Sequence, residues 1–256
     1  MSLPTAAVEG GLASVCYARR QRRSMPNALR SLLSPRRREQ LGYEWNRLRA
    51  RFFPEPYRTV MPYTMVDVPR LRNLSALARR IDQLGIAGDI VECGACNGGS
   101  GALLALSANA SPLARHVFLL DSFEGLPVPG DEDGPEAQEY VGACCGSVDS
   151  VRDVLRRSGV PEGRVSIVKG WFQETLPALA VERIALLHVD ADWYESVRTV
   201  LDELYDKVEA GGFVVLDDYG YWKGCRRAVS EFLAAHAIDA AIQDVDGIGA
   251  YFQKPS

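Results

Sequence analysis

The stretch DIVECGACNGGS, residues 89–100, places a short apolar strand directly before a glycine-rich turn. Glycine at Gly94, Gly98 and Gly99 lets the backbone bend and approach a bound molecule closely. A turn of this kind at the start of a helix also presents free amide N–H groups to a ligand. The stretch therefore predicts the first strand and the ligand-binding loop of an α/β domain. A glycine-rich turn that binds nothing is the alternative.

Apolar runs and helical patterns alternate through the rest of the chain. The runs predict strands at 89–93, 116–120, 165–168, 184–189 and 213–216, a closing hairpin at 240–245 and 250–253, and helices at 69–84, 99–109, 150–158, 194–208 and 226–236. This order is typical of a doubly wound, mostly parallel sheet, whose ligands bind at the carboxyl ends of the strands. The polar stretch 127–137 predicts a long mobile loop or lid.

The composition is that of an ordinary globular protein. The chain has 256 residues, 47% of them hydrophobic and 24% charged, which excludes a disordered chain. Six cysteines are too few for a disulfide scaffold. Apolar runs of membrane-spanning length and a secretory signal are both missing from the sequence. We therefore expect a soluble, cytoplasmic protein without a membrane partner.

Positive charge is concentrated at the start of the chain. Residues 1–53 hold eleven arginines and three glutamates, a charge of +8, and the total of −4 leaves −12 for the remainder. With few β-branched residues, residues 1–62 predict a helical arm ahead of a domain at 63–256. A basic arm suits nucleic acid or the acidic body of a second subunit. Zinc-finger spacing and RNA-binding aromatic motifs are missing from the sequence, so we expect no nucleic-acid partner.

Two other enzyme classes fit the glycine loop less well. A dinucleotide fingerprint needs glycine at 94, 96 and 99, but position 96 is Cys96. This weakens a nicotinamide-dependent reductase. Cys93 and Cys96 have the spacing of a thioredoxin-type redox pair, yet the chain continues through further strand–helix units that such a domain lacks. We interpret both cysteines as packing residues.

Acidic residues follow three of the predicted strands. Asp121 ends the second strand, where a carboxylate accepts hydrogen bonds from ribose hydroxyls. Asp190, Asp217 and Asp218 follow two strands that we expect to lie near each other. Three ionised carboxylates in one crevice require a cation, and oxygen ligands suit Mg²⁺. Helix capping is the alternative, but adjacent aspartates exceed what one cap needs.

These motifs together resemble one enzyme family. Residues 92–94, 121–127, 187–196, 211–220 and 224–232 are similar to the TylF/MycF, or macrocin-type, O-methyltransferases. The resemblance runs from about residue 63 to the C-terminus. It implies a Rossmann-like class I methyltransferase that depends on S-adenosyl-L-methionine (SAM) and Mg²⁺. Such enzymes methylate a sugar hydroxyl of a glycosylated natural product, typically in antibiotic biosynthesis, and release S-adenosyl-L-homocysteine. A non-sugar hydroxyl remains the alternative acceptor.

The resemblance also assigns roles to individual residues. It implies metal ligation by Asp190, Asp217 and Asp218. Trp193 stands where catechol-type enzymes carry a lysine, which argues against a catechol acceptor. The cofactor contacts that it implies, together with the ribose contact above, are Glu92, Gly94, Ala95, Asn97, Gly98, Gly99, Asp121, Ser122, Gly170, Trp171, Phe172 and Asp190.

A sugar hydroxyl is a poor nucleophile, so the reaction needs alignment, a metal ion and a base. We expect Asp190 to accept the proton while it also binds the metal, with Asp192 or Glu139 as alternatives. The acceptor is a small glycoside, covered by the arm and the 127–140 loop. From the charge asymmetry, and from the oligomeric assembly that the family resemblance implies, we also expect a homodimer or higher homo-oligomer.

Overall fold

The computed structural model describes residues 33–255, of which those from 35 onward form one compact unit. The helices are α1 (Pro35–Ala50), α2 (Tyr57–Val60), α3 (Val68–Gln83), α4 (Gly99–Ala110), α5 (Val148–Arg157), α6 (Phe172–Thr175), α7 (Tyr194–Leu204) and α8 (Lys223–Ala235). The strands are β1 (Asp89–Cys93), β2 (Val117–Asp121), β3 (Val165–Lys169), β4 (Ile184–Val189), β5 (Val208–Leu216), β6 (Gln243–Asp244) and β7 (Ala250–Gln253). Short 3₁₀ turns occupy Met61–Tyr63, Asp131–Asp133, Pro135–Tyr140 and Tyr205–Lys207.

The strands form one sheet in the order β3-β2-β1-β4-β5-β7-β6. Strands β1 to β5 are parallel, and β7 is antiparallel to both of its neighbours. The order reverses direction at β1, so the carboxyl ends of β1 and β4 border the crevice that such sheets use for ligands. The expected doubly wound, mostly parallel sheet with an antiparallel C-terminal strand is confirmed.

Both faces of the sheet are covered by helices. Alternate residues of each strand point to opposite faces, so Ile90 packs into one hydrophobic cluster and Val91 into the other. The first cluster contains the apolar faces of α3, α4 and α5, and the second contains those of α7 and α8. The two packed helix layers therefore fix the positions of neighbouring strand ends relative to one another.

The boundaries of β5 and β6 differ from the prediction. β5 begins at Val208 and not at 213, because Gly211 and Gly212, which suggested a turn, lie within the strand. Gly211 has a φ of +78°, and the pairing with β4 shifts register between Ile184 and Leu186. Helix α7 ends at Leu204, and a 3₁₀ turn follows it. In the hairpin, the predicted strand at 240–245 is reduced to the two residues of β6.

The predicted arm is only partly described. Residues 1–32, with five of the arm's twelve arginines, lie outside the described residues. Helix α1, also within the arm, packs against the turn at Met61–Tyr63. The division of the chain at residue 62 stays a prediction. Among residues 33–255, none of the helices has the length and apolar character needed to cross a membrane.

Candidate active site

The loop between β1 and α4 brings backbone atoms to a cavity of about 360 Å³. Gly94 has a φ of +104°, and a β-carbon there would lie 1.7 Å from the carbonyl oxygen of Asp190. Any other residue at position 94 would push β1 away from the end of β4. Gly94, Ala95 and Cys96 all line the cavity, so this loop forms part of the cavity wall.

Asp121 fixes this loop from the end of β2. Its Oδ2 accepts a hydrogen bond from the backbone N–H of Cys96 at 2.8 Å, and its Oδ1 accepts one from the N–H of Phe123 at 2.6 Å. Burial raises the pKa of Asp121, and the two backbone donors partly offset that rise. Each carboxylate oxygen keeps a second lone pair. Asp121 can therefore accept a ligand hydroxyl from the position where it borders the cavity.

The structure brings most of the predicted cofactor residues to this one cavity. Those that line it are Gly94, Ala95, Asp121, Ser122, Gly170, Trp171, Phe172 and Asp190. Glu92, Asn97, Gly98 and Gly99 are not among its lining residues. Gly98 and Gly99 allow close packing instead, because β-carbons there would lie 2.9 Å from Val151 and 2.6 Å from the carbonyl oxygen of Val60.

Acidic side chains also meet at this cavity. One carboxylate oxygen from each of Asp190, Asp192 and Asp218 lies within 4.8 Å of the other two. Burial, and then the neighbouring carboxylates, raise the pKa of Asp190 and of Asp218 well above the ordinary value. Asp192 accepts a hydrogen bond from Trp222 Nε1 at 2.9 Å. Of the three predicted metal ligands, Asp190 and Asp218 thus lie close together, and Asp192 takes the place of Asp217 in this group.

Asp217 also borders the cavity, but its carboxylate interacts with other side chains of the protein. Its Oδ2 accepts a short hydrogen bond from Arg70 of α3, and its Oδ1 lies 3.9 Å from His188 Nε2. Burial alone would raise the pKa of Asp217, but the charges of Arg70 and His188 lower it below the ordinary value. Asp217 and its neighbour Asp218 therefore have opposite electrostatic environments.

His188 and Glu92 form a fully buried pair behind these aspartates. His188 Nδ1 donates to Glu92 Oε1 at 2.9 Å, and both side chains are 0% exposed. Burial alone would lower the pKa of His188, but Asp217 and Glu92 raise it to about 10. The second oxygen of Glu92 faces Gly101 of α4, where a β-carbon would lie 2.5 Å from it. Glu92 is thus held beneath the cofactor loop and away from the cavity.

The acidic cluster fits a hard divalent cation. Oδ2 of Asp218 is buried and has no hydrogen-bond partner among the described residues. Its nearest carboxylates, Asp190 and Asp192, repel it, so the cluster gains strongly from a positive charge between the three oxygens. Carboxylate oxygens are the ligands that Mg²⁺ prefers. The donor set and the unpartnered oxygen are therefore those of a cation site.

The 127–137 segment, predicted as a mobile lid, is anchored at several points. Asp133 is fully buried and accepts hydrogen bonds from the N–H of Tyr194, at the start of α7, and of Gly130, at 2.7 and 2.9 Å. Trp193 Nε1 donates to the carbonyl of Pro127 at 2.9 Å. Pro127 lines the cavity, so these anchors hold part of its wall.

Some cavity residues were not found from the sequence. Tyr43 of α1 and Tyr63 reach the cavity from the predicted arm and its boundary, and Arg70 reaches it from α3. The Tyr43 hydroxyl lies 3.3 Å from Cys96 Sγ on the cofactor loop. Local sequence gave no signal for these residues, because each reaches the site through packing between distant parts of the chain. Glu139, an alternative base, is exposed and is not among the lining residues.

The sheet is mostly parallel, with a glycine loop after β1 and an acidic residue at the end of β2. Polar residues at the strand ends surround one cavity. Together these features define a Rossmann-like class I methyltransferase. In its fold the chain is similar to the O-methyltransferase NovP, with a TM-score of 0.71 and 29% identity over 84% of this chain and 88% of that one. The fold expected from the sequence is thereby confirmed.

Sequence comparison identifies the family within this class. Residues 15–254 match the Macrocin-O-methyltransferase (TylF) family. The chain is 33% identical to a Streptomyces olivaceus enzyme, the 8-demethyl-8-(2,3-dimethoxy-alpha-L-rhamnosyl)-tetracenomycin-C 4'-O-methyltransferase, over 75% of each chain. It is also 33% identical to the mycinamicin III 3''-O-methyltransferase of Micromonospora griseorubida, over 80% of this chain and 83% of that enzyme.

The chain therefore belongs to the TylF family and is an O-methyltransferase. The resemblance drawn from the sequence motifs is confirmed. Membership of this family excludes the nicotinamide-dependent reductase considered from the sequence.

Proposed function

We propose that this enzyme transfers the methyl group of SAM to a sugar hydroxyl of a glycosylated natural product of the antibiotic type. The sulfonium–methyl bond breaks as the new oxygen–methyl bond forms, the hydroxyl proton passes to a carboxylate, and S-adenosyl-L-homocysteine leaves. The observation that carries the proposal is the shared cavity, which is bordered both by the glycine loop and by the acidic cluster. Both relatives named above methylate sugar-bearing natural products, according to their names.

The cofactor occupies the end formed by β1, β2 and the turn after β3. The backbone of Gly94 and Ala95 follows the methionine portion, and Asp121 accepts the ribose hydroxyls. The adenine lies against Trp171 and Phe172, whose rings border the same cavity. This arrangement leaves the methyl group directed at the acidic cluster, where the acceptor hydroxyl is bound.

Asp190 and Asp218 hold Mg²⁺, and either Asp217 or Asp192 supplies a third oxygen. Bound there, the ion stabilises the negative charge that develops on the acceptor oxygen. The distances favour Asp192 as the third ligand, whereas the sequence pattern favours Asp217. Calorimetric Mg²⁺ titration of Asp192→Asn and Asp217→Asn identifies the ligand as the residue whose substitution weakens binding more.

Asp190 accepts the proton, and Asp192 is the alternative within the cavity. The exposure of Glu139 disfavours it as the base. Turnover and Mg²⁺ affinity of Asp190→Asn and Asp192→Asn distinguish the two. Near-wild-type turnover of Asp190→Asn with Mg²⁺ present would remove Asp190 from this role, and loss of turnover with intact metal affinity in Asp192→Asn would assign the proton to Asp192.

The proposed reaction is tested by labelled-methyl transfer from SAM to a panel of glycosides, each paired with its aglycone. We expect label on glycosides and not on the matched aglycones. EDTA should abolish transfer, and added Mg²⁺ should restore it. Transfer to the aglycones alone would favour a non-sugar hydroxyl as acceptor, and transfer that persists under EDTA would refute the role of the metal.

The enzyme is a homodimer or higher homo-oligomer whose N-terminal arm helps to cover the acceptor. Its acidic body and basic arm favour association between copies. Light scattering on the intact chain and on chains lacking residues 1–32 or 1–55 tests the arm, since only the shorter deletion keeps α1 and Tyr43. Unchanged assembly and acceptor affinity in both deletions would refute it.

A further inference from the structure

Five polar side chains lie in a row across the sheet: Glu92, His188, Asp217, Arg70 and Asp246. His188 lies 2.9 Å from Glu92 and 3.9 Å from Asp217. Arg70 donates to Asp217 through a short hydrogen bond and to Asp246 Oδ2 at 3.2 Å. The row connects β1, β4 and β5 to helix α3 and to the turn before β7. His188 is fully buried, with 0% side-chain exposure.

Strand register places the row on one face of the sheet. Glu92 pairs with His188, and His188 pairs with Val215, so these three residues are level on adjacent strands. Asp217 follows Val215 by two positions and therefore points to the same face. That face carries α3 and α4. His188 thus contacts Glu92 on one side and approaches Asp217 on the other.

We propose that His188 is a positioning residue for methyl transfer, which holds Glu92 beneath the cofactor loop and Asp217 at the acidic cluster in one fixed arrangement. Glu92 precedes Gly94 of the loop by two residues, and His188 precedes Asp190 by the same number. Neither His188 nor Glu92 lines the cavity, so His188 acts through its neighbours. The inference rests on the proposed function, because in-line transfer requires donor and acceptor to be aligned within a fraction of an ångström.

Two conservative substitutions separate the contacts of His188. Asparagine presents its amide nitrogen near the position of Nδ1 and keeps a donor toward Glu92, but it does not reach Asp217. Glutamine presents its nitrogen near the position of Nε2, on the side that faces Asp217 at 3.9 Å, and gives up the donor toward Glu92. We expect His188→Asn to lower kcat by about 10–100-fold, with SAM affinity within about twofold of wild type, because removing a partner of an active-site carboxylate has effects of this size. His188→Gln should retain more of the turnover.

Val215→Ala is the matched control for packing, because Val215 is buried beside His188 on β5. A purely structural role predicts that both His188 variants lose thermal stability as Val215→Ala does, while kcat per folded molecule stays unchanged. That result, or equal losses of kcat in His188→Asn and His188→Gln, would overturn the proposal. Absence of methyl transfer by the wild-type enzyme would instead refute the proposed function.

Glu92→Gln tests the same row if the His188 variants do not fold. It removes the charge but keeps an oxygen that accepts from His188 Nδ1. Positioning predicts a lower kcat with unchanged SAM affinity measured by calorimetry. Weaker SAM binding, by about tenfold or more at unchanged kcat, would make Glu92 a direct cofactor ligand and overturn the proposal.

Discussion

Replacing Asp133 by alanine removes the anchor that joins the 127–137 segment to the start of α7. The carboxylate accepts two backbone hydrogen bonds, from Tyr194 and Gly130. Hydrogen bonds to a charged group contribute about 1.5–3 kcal/mol each. Burial raises the pKa of Asp133, so the desolvation of its charge offsets part of that sum. We expect Asp133→Ala to lower the free energy of unfolding by about 3 kcal/mol and Asp133→Asn, which keeps one acceptor, by about 1 kcal/mol.

Urea unfolding of these variants measures the loss, and limited proteolysis reports whether the segment opens. Asp131→Ala is the control, since Asp131 is exposed in the same 3₁₀ turn. Because Pro127 lines the cavity, Asp133→Ala should also raise the KM for the acceptor. Equal unfolding midpoints and equal protease resistance for Asp133→Ala and Asp131→Ala would refute the anchoring role of this carboxylate.

The loop glycine, a surface carboxylate and the thiols allow further tests. Gly94→Ala should lower kcat by roughly 100-fold, because its β-carbon meets the carbonyl of Asp190; full kcat would contradict this. The pKa of Asp153 is lowered to about 2, mainly by the hydrogen bond from Tyr63. Ionised Asp153 therefore stabilises the fold above the unfolded pKa of about 3.9, and this contribution is lost as the pH falls toward 2. Tyr63→Phe should raise that pKa in an NMR titration, and an unchanged midpoint would exclude the Tyr63 bond as its cause. Iodoacetamide should modify the exposed Cys145 before the four other free cysteines of residues 33–255; equally fast reaction at the cofactor loop would support a redox pair there.

Much of the fold could be predicted because its signals are local. Each of the strands β1 to β5 contains a short apolar run that ends at or just before glycine or aspartate, and a helical pattern follows most of them. The ends of parallel strands share one edge of the sheet, so Asp121, Asp190 and Asp218 could be assigned to one crevice without knowledge of the packing. The prediction for β5 was too short, because two consecutive glycines, Gly211 and Gly212, indicate a turn. In the structure, β4 pairs with residues before and after these glycines.

The rest of the site depends on contacts between distant segments. Arg70 and Asp217 are separated by 147 residues, and Tyr43 is 53 residues from Cys96. A periodic apolar pattern shows that a helix has a buried face, but it does not show which polar residue at its end meets which strand. Glu92 illustrates the same limit. Its place in the glycine motif predicts a cofactor ligand, and this stays a prediction; the motif gives no sign of the pairing of β1 with β4, which sets Glu92 beside His188.

Asp217 and Asp218 show how one dipeptide serves two electrostatic purposes. Successive residues at the end of an extended strand point to opposite sides, so Asp217 meets Arg70 and His188 while Asp218 faces the other carboxylates. The first carboxylate is therefore stabilised as an anion by the protein itself. The second has a buried oxygen without a hydrogen-bond partner among residues 33–255, and the proposed cation would stabilise it as an anion. In the proposed function, adjacent aspartates would thus combine a carboxylate that the fold holds in place with one that can bind the cation, and a single aspartate at the end of β5 could not provide both.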